Sequence, residues 1–244
     1  MIEVPMKTEK PLDRNSVMEI NNRYIQKPND SGSILILNKG RQGSTVTVQN
    51  TPVIREMKMP VLRNQVQKGQ KVLLENNCKL SNVRVCLGWN VNNQNCDLDV
   101  SAFMLNNSGK VIGDDWFVFY GQVKSPDDSV RFTVSKDDDR EVIFVDLTRI
   151  NNSVSKIVFV LTINEALERK LNFSMIRDAY IRILNCNDNS EIVSFKMDEY
   201  YANVTSMMIG EMYQHNGMWK FNAIGNGVAK DLAGLCNLYG VNIY

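Results

Sequence analysis

From Leu62 onward the chain is a succession of short β-branched and aromatic runs separated by close turns, and this pattern constrains its fold more than any other feature. Lys156–Ile163 reads KIVFVLTI, almost wholly apolar and rich in β-branched residues, as a strand buried on both faces must be. Ala179–Leu184 and Glu191–Met197 flank a polar loop. Ser206–Tyr213 and Met218–Ala223 flank Asn216-Gly217, a strong short-range hairpin signal. Lys71–Leu74, Asn82–Trp89, Val100–Leu105, Trp116–Tyr120, Ser129–Thr133 and Val142–Leu147 complete the set of expected strands. Helix signals are few. Asn164–Arg169 (NEALER) supports about two turns behind an Asn cap. Gly227–Tyr239 sets Val228, Leu232, Leu235 and Tyr239 on one helical face before a stop at Gly240. Many short strands and little helix predict a mainly β protein, a sandwich or a barrel, with a helix near its C-terminal end.

Acidic residues collect where these strands meet their loops: Asp97 and Asp99, Asp114-Asp115, Asp127-Asp128, and Asp137-Asp138-Asp139 with Glu141. Carboxylates at the ends of neighbouring strands can converge on one end of a sheet. Converging carboxylates repel unless a cation sits among them. A hard, oxygen-seeking ion, Ca²⁺ before Mg²⁺, is the simplest such partner. Solvated turns, in which Asp serves local hydrogen bonding, are the alternative. Asp97 and Asp99 alternate around Leu98, so both point to one face of an extended chain. Asp137, Asp139 and Glu141 alternate in the same way, which puts Asp138 and Arg140 on the other side. Asp115 precedes an aromatic run and can ligate an ion or cap a turn. Asp127 and Asp128 follow Ser125-Pro126 and read as turn residues.

The bulk properties exclude several classes. Net charge is +1, so no overall field draws the chain to nucleic acid or a membrane surface. Met1–Pro11 mixes Glu3, Lys7, Glu9 and Lys10 with little apolar run and does not read as a signal peptide, and no run approaches the ~20 apolar residues of a membrane helix. The cysteines, Cys78, Cys86, Cys96, Cys186 and Cys236, form no CxxC pair, which favours buried thiols in a reducing cytoplasm. His215 is the single histidine, and no GxSxG or HExxH motif occurs. Residues 1–60 read as an appendage or linker with a local hairpin of Ser33–Leu37 and Ser44–Val48. Residues 61–244 then form the β-rich domain.

Longer motifs carry a resemblance. Leu87-Gly88-Trp89-Asn90, Cys96-Asp97-Leu98-Asp99-Val100-Ser101-Ala102-Phe103, Asp115-Trp116-Phe117-Val118-Phe119-Tyr120 and Gly210-Glu211-Met212-Tyr213-Gln214-His215-Asn216-Gly217 follow one another as they do in the TerD-type tellurium-resistance and stress proteins. The chain is similar to that family over roughly Gln67–Ile243. The resemblance implies a β-sandwich of two sheets that binds Ca²⁺ through acidic loops, without catalysis. On the residues above, its ligands would be Asp97, Asp99, Asp115, Asp137, Asp139 and Glu141. It also implies a stress-response role in the cytoplasm or at the inner membrane face, with other stress-resistance proteins and an integral membrane protein as partners. Two departures stand out. The loop at Lys136–Glu141 lacks the glycines usual in the family and carries Arg140 where an acid is usual, which weakens one ion site. Gly121 stands where Asn is usual. Two other readings compete: a metal-assisted hydrolase using the clustered carboxylates, and a metal-independent module for a small ligand or cyclic nucleotide.

Overall fold

The computed structural model describes residues 56–75, 80–135 and 139–243. The hairpin expected at Ser33–Leu37 and Ser44–Val48, and Asp137, lie outside the described residues. Eleven strands are described: β1 (Lys71–Leu73), β2 (Asn82–Val91), β3 (Leu98–Leu105), β4 (Phe117–Val118), β5 (Val130–Val134), β6 (Glu141–Asp146), β7 (Lys156–Ile163), β8 (Ile176–Asn185), β9 (Glu191–Lys196), β10 (Ser206–His215) and β11 (Met218–Val228). They form two sheets, ordered β1-β11-β10-β7-β3-β4 and β5-β6-β2-β8-β9, with antiparallel pairing between all neighbours. Sandwich, not barrel, is the outcome.

Alternation sets the core. Val83, Val85, Leu87 and Trp89 of β2 face Val100, Ala102 and Met104 of β3 across the two sheets, in one continuous apolar cluster. β7 is buried along seven of its eight residues, as its unbroken apolar run requires. Each sheet also has a partly covered outer face. On the six-stranded sheet, Phe103, Leu105, Val158 and Val160 lie beneath helix α2 (Leu232–Tyr239), whose Leu235 and Cys236 are buried. On the five-stranded sheet, the Tyr180 ring lies over Gly88, where a Cβ would sit 2.5 Å from it. Gly88 is therefore fixed by close approach, not by a turn.

Three expected elements differ. Trp116–Tyr120 is not one strand. Asp114–Trp116 is a 3₁₀ turn, and only Phe117–Val118 pairs with β3. The Gln122 amide donates to the Asp115 and Phe117 carbonyls (2.8 and 2.7 Å), so these groups find their partner in a side chain instead of a neighbouring strand. The NEALER helix is one turn, α1 (Ala166–Arg169). Asn164 does not cap it, since Glu165 occupies the cap position at φ 50. The C-terminal helix starts at Leu232 rather than Gly227. Gly227 and Val228 continue β11 opposite Met207 and Ser206, and Asp231 caps the helix by accepting the Gly234 N–H.

Candidate functional site

At one end of the sandwich, β3 begins and β6 begins close together. Glu141, the first residue of β6, is 4 % exposed, and its Oε2 accepts the Val100 N–H at 2.8 Å. β4 is too short to reach this part of β3, so a carboxylate from the opposite sheet satisfies the backbone donor. Asp99 is the next residue back along β3 and is buried. Asp97 stands just ahead of the strand, exposed, and its carbonyl accepts the Asn164 N–H at 2.8 Å.

The other expected ligands lie elsewhere. Asp139 and Glu141 do not share a side. The chain bends at Asp139-Arg140, where the Arg140 N–H bonds the Leu87 carbonyl, and the strand starts only at Glu141. Glu141 therefore turns inward toward β3, whereas Asp139 turns to the outer face of the five-stranded sheet. There it accepts Arg182 through two hydrogen bonds (Nε 2.9 Å, Nη2 2.7 Å) and the Tyr180 hydroxyl at 2.7 Å. Burial and the Asp139 carboxylate push the Tyr180 phenol well up, and the same two causes push the neighbouring Cys86 thiol up to about 12. Arg140 donates from Nε to the Trp89 carbonyl at 2.6 Å, its guanidinium 5.6 Å from the Trp89 ring. Asp115 is exposed on the 3₁₀ turn. Among the described residues no three His, Cys, Asp or Glu side chains are placed to hold a metal ion.

Asp127 is a structural turn residue. It accepts both the Ser125 and Ser129 hydroxyls (2.6 and 2.7 Å), the Ser129 N–H and the Asn151 N–H. Burial alone would raise its carboxyl; these hydrogen bonds outweigh burial and hold it below the ordinary carboxylate value.

A second feature was not singled out in the sequence. A cleft of about 180 Å³ opens between the outer face of β3 and β7, the α1 turn and the start of α2. Asp99, Ser101 and Thr162 lie on its sheet side; Glu165, Glu168 and Asp231 belong to the elements around it. The Asp-x-Ser alternation in β3 was a legible sign that Ser101 shares the Asp99 face. That α1 and α2 would meet there was not legible, because it depends on how both pack on the sheet.

The comparisons with known proteins agree with this architecture. The TerD domain model matches residues 62–239. The tellurium resistance protein TerD of an Alcaligenes species is 39% identical over 186 residues, covering 72% of this chain and 97% of that protein. General stress protein 16U of Bacillus subtilis is 37% identical over 186 residues, covering 72% and 96%. A crystal structure of a protein of unknown function superposes with a TM-score of 0.50 at 20% identity, covering 63% of this chain and 93% of that one, which speaks to the fold alone. With the match of the domain model, the extent of identity and the two-sheet architecture together, the chain belongs to the TerD domain family.

Proposed function

We propose that the chain is a Ca²⁺-responsive stress protein of the tellurium-resistance type, acting through interaction and not catalysis, with Asp97, Asp99 and Glu141 supplying the carboxylate oxygens. The observation that carries this reading is the Glu141 carboxylate, brought from one sheet onto the β3 backbone beside Asp99 of the other. Two acidic side chains from different sheets stand at one end of the sandwich, and the exposed Asp97 is two residues away. Ca²⁺ takes 6–8 oxygens in flexible geometry and tolerates a mixture of carboxylates and carbonyls. No three acids among the described residues are placed for a metal, so binding through Asp97, Asp99 and Glu141 is accompanied by side-chain movement at this end. Asp139 is omitted from the set, since Arg182 and Tyr180 already engage both of its oxygens. The family relationship supports the stress role, since named relatives are tellurium resistance and general stress proteins.

Non-catalytic action agrees with the nucleophiles at hand. Burial pushes Cys236 and Cys86 up to about 12, and raises Cys96 and Cys186, so thiolate is scarce at neutral pH at these four described cysteines. His215 is exposed at the end of the β10–β11 hairpin. Among the described residues no helix is long and apolar enough to cross a membrane. In the same reading the protein works in the cytoplasm or on the inner membrane face, where the ordered end docks on other stress-resistance proteins and an integral membrane partner.

Thermal melting with Ca²⁺ and with chelator tests the reading. Binding to the folded state alone stabilises by about 2.7 kcal/mol at a hundredfold excess over Kd. The Asp97→Asn/Asp99→Asn variant should lose that gain while melting like the wild type in chelator. Superimposable wild-type curves in Ca²⁺ and chelator would refute the proposal.

A further inference from the structure

We propose that the cleft between the outer face of the six-stranded sheet and the start of α2 is a binding site for an alkylammonium group, carried by a small aliphatic diamine or by a lysine side chain. The inference goes beyond the Ca²⁺ reading, with which it shares only Asp99.

Three observations converge on a positively charged, partly apolar ligand. The first is charge. Asp99, Glu165, Glu168 and Asp231 all line the cleft, and among the described residues no lysine, arginine or histidine does. Arg169 offsets Glu165 through an ion pair, and Asp231 spends part of its charge on the Gly234 N–H at 2.8 Å. That second contact also quenches the positive end of α2, which would otherwise oppose a cation. Glu168 makes no ion pair among the described residues and adds its charge to the cleft.

The second observation is a buried hydroxyl. Ser101 lines the cleft and is 3 % exposed, yet its Oγ has no hydrogen-bond partner. A buried polar atom without a partner has lost its water and gained nothing in exchange. β-strand alternation directs Ser101 to the same face as Asp99, toward the cleft and away from the core. Asn164, at the same wall, has its buried Oδ1 in the same condition. A primary ammonium has three donors and no acceptor, so it needs a group of acceptors such as these.

The third observation is the character of the walls. Phe119, Leu232 and Ile243 supply apolar surface beside the oxygens. A divalent metal gains nothing from such walls and needs converging oxygens, whereas among the described residues no three acids are placed to hold a metal. An alkyl chain uses both parts, lying on the apolar wall with its charged head among the acceptors. The volume, about 180 Å³, is below the usual range for drug-sized ligands and suits a short chain.

The test uses the full chain in chelator at low ionic strength, with cadaverine and Nα-acetyl-lysine amide as separate probes, followed by calorimetry and by amide chemical shifts. Saturable binding that shifts Ser101 and Asn164 is expected. Preference for cadaverine identifies a free diamine as the source, and preference for the lysine derivative identifies a protein side chain. Glu168→Gln/Asp231→Asn removes two charges, keeps an Asn cap on α2, and should weaken binding roughly fivefold or more. Ser101→Ala, tested separately, should weaken it with no loss of melting temperature. The Ca²⁺-induced melting shift of the charge variant should match the wild type, which separates failure here from failure of the Ca²⁺ reading. Absence of binding by both probes, or affinity unchanged in both variants, would overturn the proposal.

Discussion

Asp139 shows how one side chain can look the same in sequence as its neighbours and do different work. It belongs to an acidic run, but its carboxylate closes a buried ion pair with Arg182, whose side chain is 16% exposed, and accepts the Tyr180 hydroxyl. Removing one partner of such a pair strands the other, at a cost of about 3–5 kcal/mol. Asp139→Ala should therefore lower the urea midpoint sharply in chelator, and Asp139→Leu/Arg182→Met should recover most of the loss. If Asp139 served only as an ion ligand, the single variant would melt near the wild type without Ca²⁺. Asp127 offers a contrasting acid. Its folded-state pKa is lowered, so its contribution is complete above the ordinary carboxylate pKa of about 3.9 and fades as pH falls through the folded value. Asp127→Ala should cost about 1–3 kcal/mol at pH 7, since buried Ser125 and Ser129 lose their acceptor. The gap between variant and wild type should narrow below about pH 4. A gap that stays constant from pH 7 to pH 3 would show that the hydrogen bonds do not depend on the ionised form.

Among elements, those governed by local chemistry were legible. The Asn216-Gly217 hairpin is the clearest case: φ is 53 at Asn216 and 75 at Gly217, the geometry that a two-residue connection between right-twisted strands demands. An L-residue other than Asn or Asp resists that conformation, so Gly217→Ala should cost about 1–2 kcal/mol in chemical denaturation. Asn216→Gly should be close to neutral. A Gly217→Ala protein with wild-type stability would mean the turn relaxes to another type. The run KIVFVLTI was equally legible, and β7 occupies the expected residues. Elements failed where a tertiary partner overrode the local pattern. Gly225–Gly227 carries a turn signature but continues β11 along β10. Phe117 and Phe119 alternate as a strand would, yet Phe117 stacks on Phe119 at 4.5 Å and on Phe103 at 4.3 Å, and the Gln122 side chain replaces the ladder. The candidate site follows the same division. The Asp97–Asp99 alternation was readable, but the crossing of Glu141 to Val100 depends on how far apart two sheets pack.

At the scale of the whole molecule, the sequence left sandwich and barrel open because strand order is non-local: β2 lies between β6 and β8, and β3 between β7 and β4. The edge of the domain is also a tertiary matter. The residues just before β1 lack strand periodicity, and Met57–Pro60 reads as a junction, yet the chain is tied to the five-stranded sheet from Met57 onward. The Met57 N–H and carbonyl both bond the Asn90 side chain (2.8 and 3.0 Å). Glu191 accepts the Arg63 and Asn64 N–H groups, and Gln65 bridges Ser194 in parallel, with Val66 donating to the Ser194 carbonyl at 2.8 Å. This segment covers the edge of β9, which would otherwise present unpaired backbone groups. Buried Ser194 makes both of its backbone bonds on that edge to this segment, accepting from Val66 and donating to the Asn64 carbonyl. A chain beginning at residue 67 should therefore be less stable than one beginning at residue 56, by about 3–9 kcal/mol if each of these six hydrogen bonds is worth about 0.5–1.5 kcal/mol. It should also associate at high concentration through the uncovered β9 edge, visible as a rise in mass by light scattering. Equal urea midpoints and equal masses for the two chains would place the structural boundary after Val66 and reduce the segment to a passive tether.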